Sequence, residues 1–252
     1  MKEYITRISK SKILPGINLI LIWLLVSIIV DNEIIIPGIG VTIENLFRIV
    51  SSDDFFLTIL WTFFRSILVF VISTILSIIL ASLSSVSVVL YNHIKPVLSM
   101  MASIPILAII ILALIWLDVE MVSIFIGIIF ILPIQFEKVL GGIKSIDVKL
   151  LEMAKIYKVS RWVKIKDIYI PVILSSIFFI ANSTLGSALK MVIAGEVLSQ
   201  PQYSIGSNLI LQKTYLNTPG VFAWIIIILI LSKGLSILMS LFQRSLIRKS
   251  GV

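Results

Sequence analysis

Two charged side chains lie inside a long apolar stretch, where a charge is costly. Lys190 and Glu196 occur late in the segment from Ile168 to about Leu198. A charge at bilayer depth costs roughly 2.5–3.5 kcal/mol on insertion scales, so such residues are functional candidates. A lysine at this position would suit an anion, and we expect Lys190 and Glu196 to line a translocation path or its gate. The alternative is a salt bridge that holds this segment to a neighbouring helix.

Uncharged polar residues form stripes along two apolar segments. Asn182 and Ser187 lie in the segment that carries Lys190, and Ser73 and Ser77 recur at helical spacing between about Leu60 and Leu90. They are candidates for the same path. Hydroxyl and amide side chains also satisfy contacts between membrane helices, so packing is the alternative role for each of them.

Several kinds of chemistry are excluded by residue types that the sequence lacks. There are no cysteines, which rules out disulfides, thiolate metal sites and cysteine nucleophiles. His93 is the single histidine, so this chain alone cannot build a three-histidine metal site. It also contains no Gly-x-x-x-x-Gly-Lys-Ser/Thr loop to cradle ATP. We therefore expect no catalytic residue, no metal site and no cofactor bound by this chain.

The composition is that of a membrane protein. Apolar residues make up 59% of the 252 residues and charged residues only 13%, against about 25% charged residues in a soluble domain. A helix needs about 20 mostly apolar residues to cross the hydrocarbon core. Six stretches meet this requirement, which predicts an all-α integral membrane protein with one transmembrane domain. The predicted spans are approximately residues 13–30, 60–90, 96–117, 121–140, 168–198 and 221–243.

The distribution of charge predicts the orientation of these spans. With the N-terminus inside, the cytoplasmic segments hold 15 of the 21 Lys and Arg residues, and the external segments hold two, Arg48 and Lys213. Lys and Arg collect on the cytoplasmic side of membrane proteins. The sequence therefore predicts that both termini are cytoplasmic. The basic excess is explained by orientation, and we expect no nucleic-acid partner.

Smaller features of the spans and loops can also be predicted. Pro105 lies inside the third span and should kink it, because proline lacks the N–H of a helical hydrogen bond. Residues 41–50 predict a short helix on the outer surface, and residues 91–95, which include His93, predict a cytoplasmic turn. Arg65 and Lys233 are expected to snorkel or to pair.

The longest cytoplasmic loop, residues 141–167, contains a short amphipathic pattern. Apolar residues between Asp147 and Tyr157 recur close to helical spacing. Asp147 or Ser145 can cap the N-terminus of this helix. The pattern predicts a short helix beside the membrane that offers a narrow apolar face to a partner or, alternatively, to lipid.

This loop resembles the cytoplasmic motif of binding-protein-dependent ABC importer permeases. That motif reads E-A-A-x-x-x-G, followed by nine residues and I-x-L-P. Identical residues stand at four of its positions: Glu152, Ala154, Ile168 and Pro171. Three positions depart from it: Met153 replaces the first Ala, Lys158 the Gly, and Ile170 the Leu. A glycine at position 158 would end the helix in a left-handed turn, and a lysine costs roughly 1–2 kcal/mol in that conformation.

Further segments resemble the nitrate/sulfonate/taurine branch of this family. They are residues 95–108, 141–147, 188–197 and 204–224, and the whole resemblance extends over roughly residues 60–248. It implies a type I ABC importer permease fold with six transmembrane helices in the bacterial inner membrane. It also implies a small anion or organic nutrient of the nitrate, sulfonate or taurine type as the substrate.

The same resemblance implies partners and a role for the loop. The partners are cytoplasmic ATPase subunits that carry ATP and Mg²⁺, an extracytoplasmic substrate-binding protein and a second permease copy, which we expect to form a homodimer. The short helix would dock into a groove of the ATPase. The residues expected to couple the two proteins are Asp147, Leu151, Glu152, Met153, Ala154, Tyr157, Lys158 and Pro171.

Three other interpretations remain open at this stage. The branch also handles vitamin precursors such as thiamine pyrimidines. A membrane-embedded enzyme would need acidic or histidine residues clustered at one membrane face, and the acids Asp147, Glu152 and Asp167 are scattered among lysines. An anchoring subunit without a pathway is the third, and the polar stripes argue against it.

Overall fold

The computed structural model describes the backbone of residues 14–250 and the side chains of residues 14–241. Over these residues the chain is helical and contains no strand. A single π-helical turn, Ile165–Tyr169, separates α8 from α9. The eleven α-helices are α1 Leu14–Val30, α2 Ile39–Val50, α3 Phe55–Val86, α4 Val88–Ser103, α5 Ile106–Trp116, α6 Val119–Lys144, α7 Val148–Ile156, α8 Arg161–Lys164, α9 Ile170–Ser199, α10 Ile205–Thr214 and α11 Thr218–Ser250.

Four stretches of helix are long and apolar enough to cross a membrane. They are Phe55–Val86, Val119–Lys144, Arg161–Ser199 and Thr218–Leu241, and each contains most of one predicted span. The first predicted span corresponds to α1, which has 17 described residues. The basic segment before it, residues 1–12, lies outside the described residues. Six spans with both termini inside therefore stay predictions.

The predicted third span is not one straight helix. It is replaced by α4 and α5, which bend by 101° at Ile104 and Pro105. Proline offers no N–H and disfavours helical backbone in the residue before it. Ile104 accordingly has an extended backbone, with φ −73° and ψ 134°. The kink predicted at Pro105 is thus present, and it is sharp enough to break the helix.

The predicted cytoplasmic turn at residues 91–95 is wrong, because these residues, including His93, are helical and belong to α4. The break lies earlier, at Ser87, which has an extended backbone and whose hydroxyl accepts a hydrogen bond from the Leu90 N–H at 3.3 Å. A serine in this role caps a new helix. Hydropathy alone does not detect such a cap, since the residues on both sides of it are apolar.

The described chain divides into two compact units. One comprises the chain up to Phe55 together with Asn208–Leu229. Within it, the Trp23 indole donates to the Pro37 carbonyl at 3.0 Å, and the Asn217 amide donates to Asn45 at 3.1 Å. The short helix predicted at residues 41–50 is present as α2, Ile39–Val50, and its place on the outer surface stays a prediction.

The second unit comprises Phe56–Ser207 and the chain from Ile230 onward. Its core is formed by α3, α6 and α9, which approach closely at glycines. A Cβ atom at Gly127 would lie 2.6 Å from Val69 Cγ2, and one at Gly195 would lie 2.7 Å from Ser123 Cα. Both distances are below van der Waals contact, so only glycine permits this packing. Small residues allow membrane helices to approach in this way.

Candidate functional site

The amphipathic segment of the cytoplasmic loop forms α7, and its N-terminus is capped as predicted. The Asp147 carboxylate accepts the Lys149 N–H at 2.9 Å. Ser145, the other candidate cap, instead ends α6, where its hydroxyl donates to the Gly142 carbonyl at 2.7 Å. An aspartate at this position satisfies a free helix N–H and interacts favourably with the helix dipole.

The C-terminus of α7 keeps the left-handed turn for which the family motif uses glycine. Lys158 has φ 50°. Its N–H donates to the Lys155 carbonyl at 3.1 Å, and the Val159 N–H donates to the Ala154 carbonyl at 2.9 Å. This pair of hydrogen bonds is the Schellman arrangement that ends many helices. The lysine therefore preserves the geometry of the turn and carries its conformational cost.

We expect Lys158→Gly to stabilise the permease by about 1 kcal/mol, because glycine adopts a left-handed backbone without a steric penalty. The measurement is thermal unfolding of the purified chain in detergent. Lys155→Gly is the matched control: it lies within α7 and should destabilise by about 1 kcal/mol. Equal losses of melting temperature in the two variants would contradict this account of the turn.

The predicted coupling residues of α7 divide between two sides of the helix. Ala154 is 8% exposed, and Leu151 packs against a buried cluster that includes Ile143. Met153 and Tyr157 are 54% and 76% exposed. Glu152 and Pro171 are also exposed, and Pro171 stands in the first turn of α9. The helix is thus fixed to its own chain by one side and leaves the other side exposed.

Ile156, which the sequence analysis did not single out, belongs to the exposed side at 76% exposure. With Met153 and Tyr157 it forms an apolar surface at the end of α7, here called the α7 surface. The signal in the sequence was present, since Met153 and Ile156 are three residues apart and share a helix face.

The polar residues predicted to line a path have different surroundings. Ser73 and Ser77 are fully buried, and Ser77 donates to the Thr74 carbonyl at 2.9 Å. Asn182 and Ser187 are partly buried. Among the described side chains, the Ser73 hydroxyl and the Asn182 carbonyl oxygen lack a hydrogen-bond partner. Gln135 of α6, which sequence reasoning missed, is fully buried with both amide atoms unpartnered among the described residues.

Lys190 and Glu196 do not pair. Lys190 is exposed, and no carboxylate of the described side chains lies within 4.0 Å of it. Glu196 is fully buried and its carboxylate binds the Arg65 guanidinium at 2.9 Å. The structure therefore gives no support to the salt-bridge alternative for Lys190, whereas Glu196 has a structural partner on α3.

Four side chains from three helices form what we call the Arg65 cluster: Thr62 and Arg65 of α3, Glu120 of α6 and Glu196 of α9. Arg65 is 3% exposed and also donates, through Nη2, to the Glu120 carboxylate. The Thr62 hydroxyl lies 3.0 Å from both carboxylate oxygens of Glu196. An arginine can serve two carboxylates because its planar guanidinium presents five N–H donors.

The cluster also binds the backbone that follows α9. Arg65 donates to the Tyr203 and Gln202 carbonyls at 3.4 and 3.5 Å. The Gln202 N–H donates to Glu120 at 3.1 Å. The Ile205 N–H donates to Thr62 at 3.1 Å, and the Gly206 N–H donates to Glu196 at 3.3 Å. One buried guanidinium therefore joins three helices and the 200–206 segment.

The sequence predicts only that Arg65 snorkels or pairs, and it does not predict Glu120 or Thr62 as partners. A signal existed, because Arg65, Glu120 and Glu196 all lie near the ends of their predicted spans on the same side of the membrane. Opposite charges at one depth can meet if their helices pack. Which helices pack is a tertiary property that span prediction does not provide.

Comparison with known proteins identifies the family. Residues 73–248, well over half of the chain, match the family described as the binding-protein-dependent transport system inner membrane component. The chain belongs to this family. It is therefore an ABC importer permease, a transport subunit rather than an enzyme, and a multi-pass protein of the cytoplasmic membrane.

Members of this family are inner membrane components of transport systems that depend on a binding protein, which implies an ATPase partner as well. The permease component has no cofactor of its own. The chain is also similar to the putative aliphatic sulfonates transport permease protein SsuC of Bacillus subtilis (strain 168). The two are 25% identical over 245 residues, which cover 95% of this chain and 87% of the relative. This similarity supports membership of the sulfonate-like branch.

Proposed function

We propose that the chain forms the transmembrane path for a small organic anion of the sulfonate type and couples that path to a cytoplasmic ATPase through α7. The observation that carries this proposal is the α7 surface, an exposed apolar patch at the end of a helix capped at both ends. Exposed apolar residues on a fixed element are typical of protein interfaces. The family supplies the kind of partner.

In this proposal the partner ATPase holds ATP and Mg²⁺, and its closure moves α7. The movement passes to α9 through the chain that connects them, and to α6 through the buried side of α7, where Leu151 packs against the cluster that contains Ile143. Leu151 and Ala154 therefore transmit the force, and the α7 surface receives it. Asp147 and Lys158 keep the two ends of α7 ordered.

We also propose that two copies of the chain enclose the path in the membrane, each with six spans and cytoplasmic termini. Lys190 supports this arrangement. It is exposed in the single chain, nine residues before the end of α9, which places it about 13 Å from that end at 1.5 Å per residue. Contact with lipid at that depth would be costly, so a water-filled path or a second copy must surround it.

An anionic substrate fits this lysine better than a neutral vitamin precursor does, and the similarity to a sulfonate permease agrees with it. The test is ATP-dependent uptake of an alkanesulfonate by proteoliposomes that contain the permease, its ATPase and its binding protein. Uptake of a thiamine-type pyrimidine instead of the sulfonate would favour the alternative substrate.

We expect Lys190→Met to reduce sulfonate uptake by about tenfold or more, the effect of losing one charge-assisted contact of roughly 1.5–3 kcal/mol. Lys190→Arg should retain most of the activity, because it keeps the positive charge. Lys233→Met is the matched control, an exposed lysine of α11. Uptake by Lys190→Met equal to that of Lys233→Met would remove Lys190 from the path.

A further inference from the structure

The segment from Gln200 to Gly206 runs from the end of α9 into the first turn of α10. It is held by the Arg65 cluster together with local hydrogen bonds of Ser204 and Ser207 to the Pro201 carbonyl. Gln200 and Tyr203 both have left-handed backbones, with φ 50° and 51°. Such conformations are unfavourable for residues other than glycine and persist where the surroundings impose them. Here the surroundings are five hydrogen bonds from the cluster to main-chain atoms of residues 202–206.

Gly206 shows how closely this segment lies against α9. A Cβ atom at residue 206 would collide with the Glu196 Cβ and with the backbone of Val197. The close approach lets the Gly206 N–H reach the buried Glu196 carboxylate. The segment consequently covers Glu196, which has no exposed surface.

The two carboxylates that bind Arg65 differ in their exposure to solvent. The side chain of Glu196 is 0% exposed, whereas that of Glu120 is 48% exposed. A buried charge that loses its partner cannot be hydrated, but a half-exposed carboxylate can exchange its partner for water at little cost. The ion pair between Arg65 and Glu120 is therefore the contact of the cluster that costs least to break.

Breaking this link would free one half of the segment. Gln202 is held by Glu120 through its N–H and by Arg65 through its carbonyl. Ile205 and Gly206 are held by Thr62 and Glu196, which do not depend on Glu120. Release of Glu120 would thus remove one of the contacts that hold the start of α6 to α3 and to Gln202.

We infer that Arg65 is a positioning residue for transport. It keeps the 200–206 segment closed over the ends of α3, α6 and α9, and its ion pair with Glu120 is the contact that breaks when the segment opens. The inference rests on the proposed function, because opening is needed only if these helices part during transport. A hydrogen bond fails once its atoms move more than a few tenths of an ångström beyond 3.2 Å, so parting of the helices must break one of these bonds.

Cysteine labelling tests the resting state, and the absence of native cysteines makes single reporters possible. Ser204→Cys places a thiol at a fully buried position of the segment, and Asp54→Cys places one at an exposed position. With a membrane-impermeant maleimide, Ser204→Cys should react about tenfold more slowly than Asp54→Cys, as expected for a site that reacts only after local opening. Ile205→Cys, also fully buried, repeats the test if the serine variant folds poorly.

Substitution of Glu120 should then open the segment. We expect Glu120→Ala to raise the labelling rate of Ser204→Cys about fivefold, the factor that corresponds to one ion pair of moderate strength. Glu120→Gln, which keeps the shape and one acceptor, should give a smaller increase. Glu44→Gln is the matched control, because it breaks only the exposed ion pair with Arg48. Equal labelling of the two thiols, or no effect of Glu120→Ala, would overturn the inference.

A second arm separates positioning from a merely structural role. The complex with binding protein and a hydrolysis-deficient ATPase is trapped with ATP, and Ser204→Cys is labelled again. Faster labelling than in the resting complex supports the role in transport, and an unchanged rate overturns it. Failure of sulfonate uptake would count against the proposed function alone, since the resting-state result does not depend on transport.

Discussion

Arg65→Met is expected to prevent recovery of most of the folded permease. The substitution leaves the fully buried Glu196 carboxylate with only Thr62 and the Gly206 N–H as partners. Removal of one member of a buried ion pair typically costs about 3–5 kcal/mol, because the remaining charge is neither hydrated nor compensated. The protein is heated in detergent, and size-exclusion chromatography then measures the fraction that remains monodisperse.

The double variant Arg65→Met with Glu196→Gln should recover most of that stability. Glutamine keeps the shape of the side chain and can still accept the Gly206 N–H, and no uncompensated buried charge remains at position 196. Arg48→Met provides the exposed control, since both members of its ion pair with Glu44 are about 70% exposed and such pairs contribute at most about 1 kcal/mol. A double variant less stable than Arg65→Met would show that the charge of Glu196 is not the cause.

The helices of this protein could be predicted well because the bilayer imposes a simple requirement of length and composition. The breaks could not, because they depend on local hydrogen bonds. Ser87 ends α3 and caps α4 inside a stretch that hydropathy reads as continuous. Pro105 predicts a kink in this stretch, but a proline in the sequence does not predict that the bend is 101°.

In the candidate site, too, features that depend on neighbours in sequence could be predicted, and contacts between distant residues could not. The cap at Asp147 depends on neighbours in sequence and could be predicted, with Ser145 as the alternative. The turn at Lys158 stayed an open question, because a lysine stands where the motif has glycine. The side of α7 that faces the protein could not, because it depends on residues of other helices, against which the partly buried Leu151 packs. The pairing of Arg65 with Glu196 joins residues that are 131 positions apart, and composition contains no information on that contact.

The second large effect concerns the α7 surface. Met153→Asp and Ile156→Asp should each abolish copurification of the co-expressed ATPase, because they place a charge in the centre of the proposed apolar interface. Loss of a central interface residue costs about 2 kcal/mol or more, which is roughly a 30-fold decrease in affinity. The melting temperature of the permease itself should not change, since both side chains are more than half exposed.

Ala154→Asp distinguishes docking from folding. Position 154 is 8% exposed, so its carboxylate would be buried within the permease and should lower the melting temperature of the isolated chain. Loss of the ATPase in that variant would follow from a damaged α7, whereas in Met153→Asp it would follow from a changed surface on an intact helix. Phe47→Asp, at a 65% exposed apolar residue of α2, controls for the introduction of an acid elsewhere. Copurification at the wild-type level with both Met153→Asp and Ile156→Asp would place the ATPase contact outside the α7 surface, and the movement of the partner would then have to enter the permease by another route.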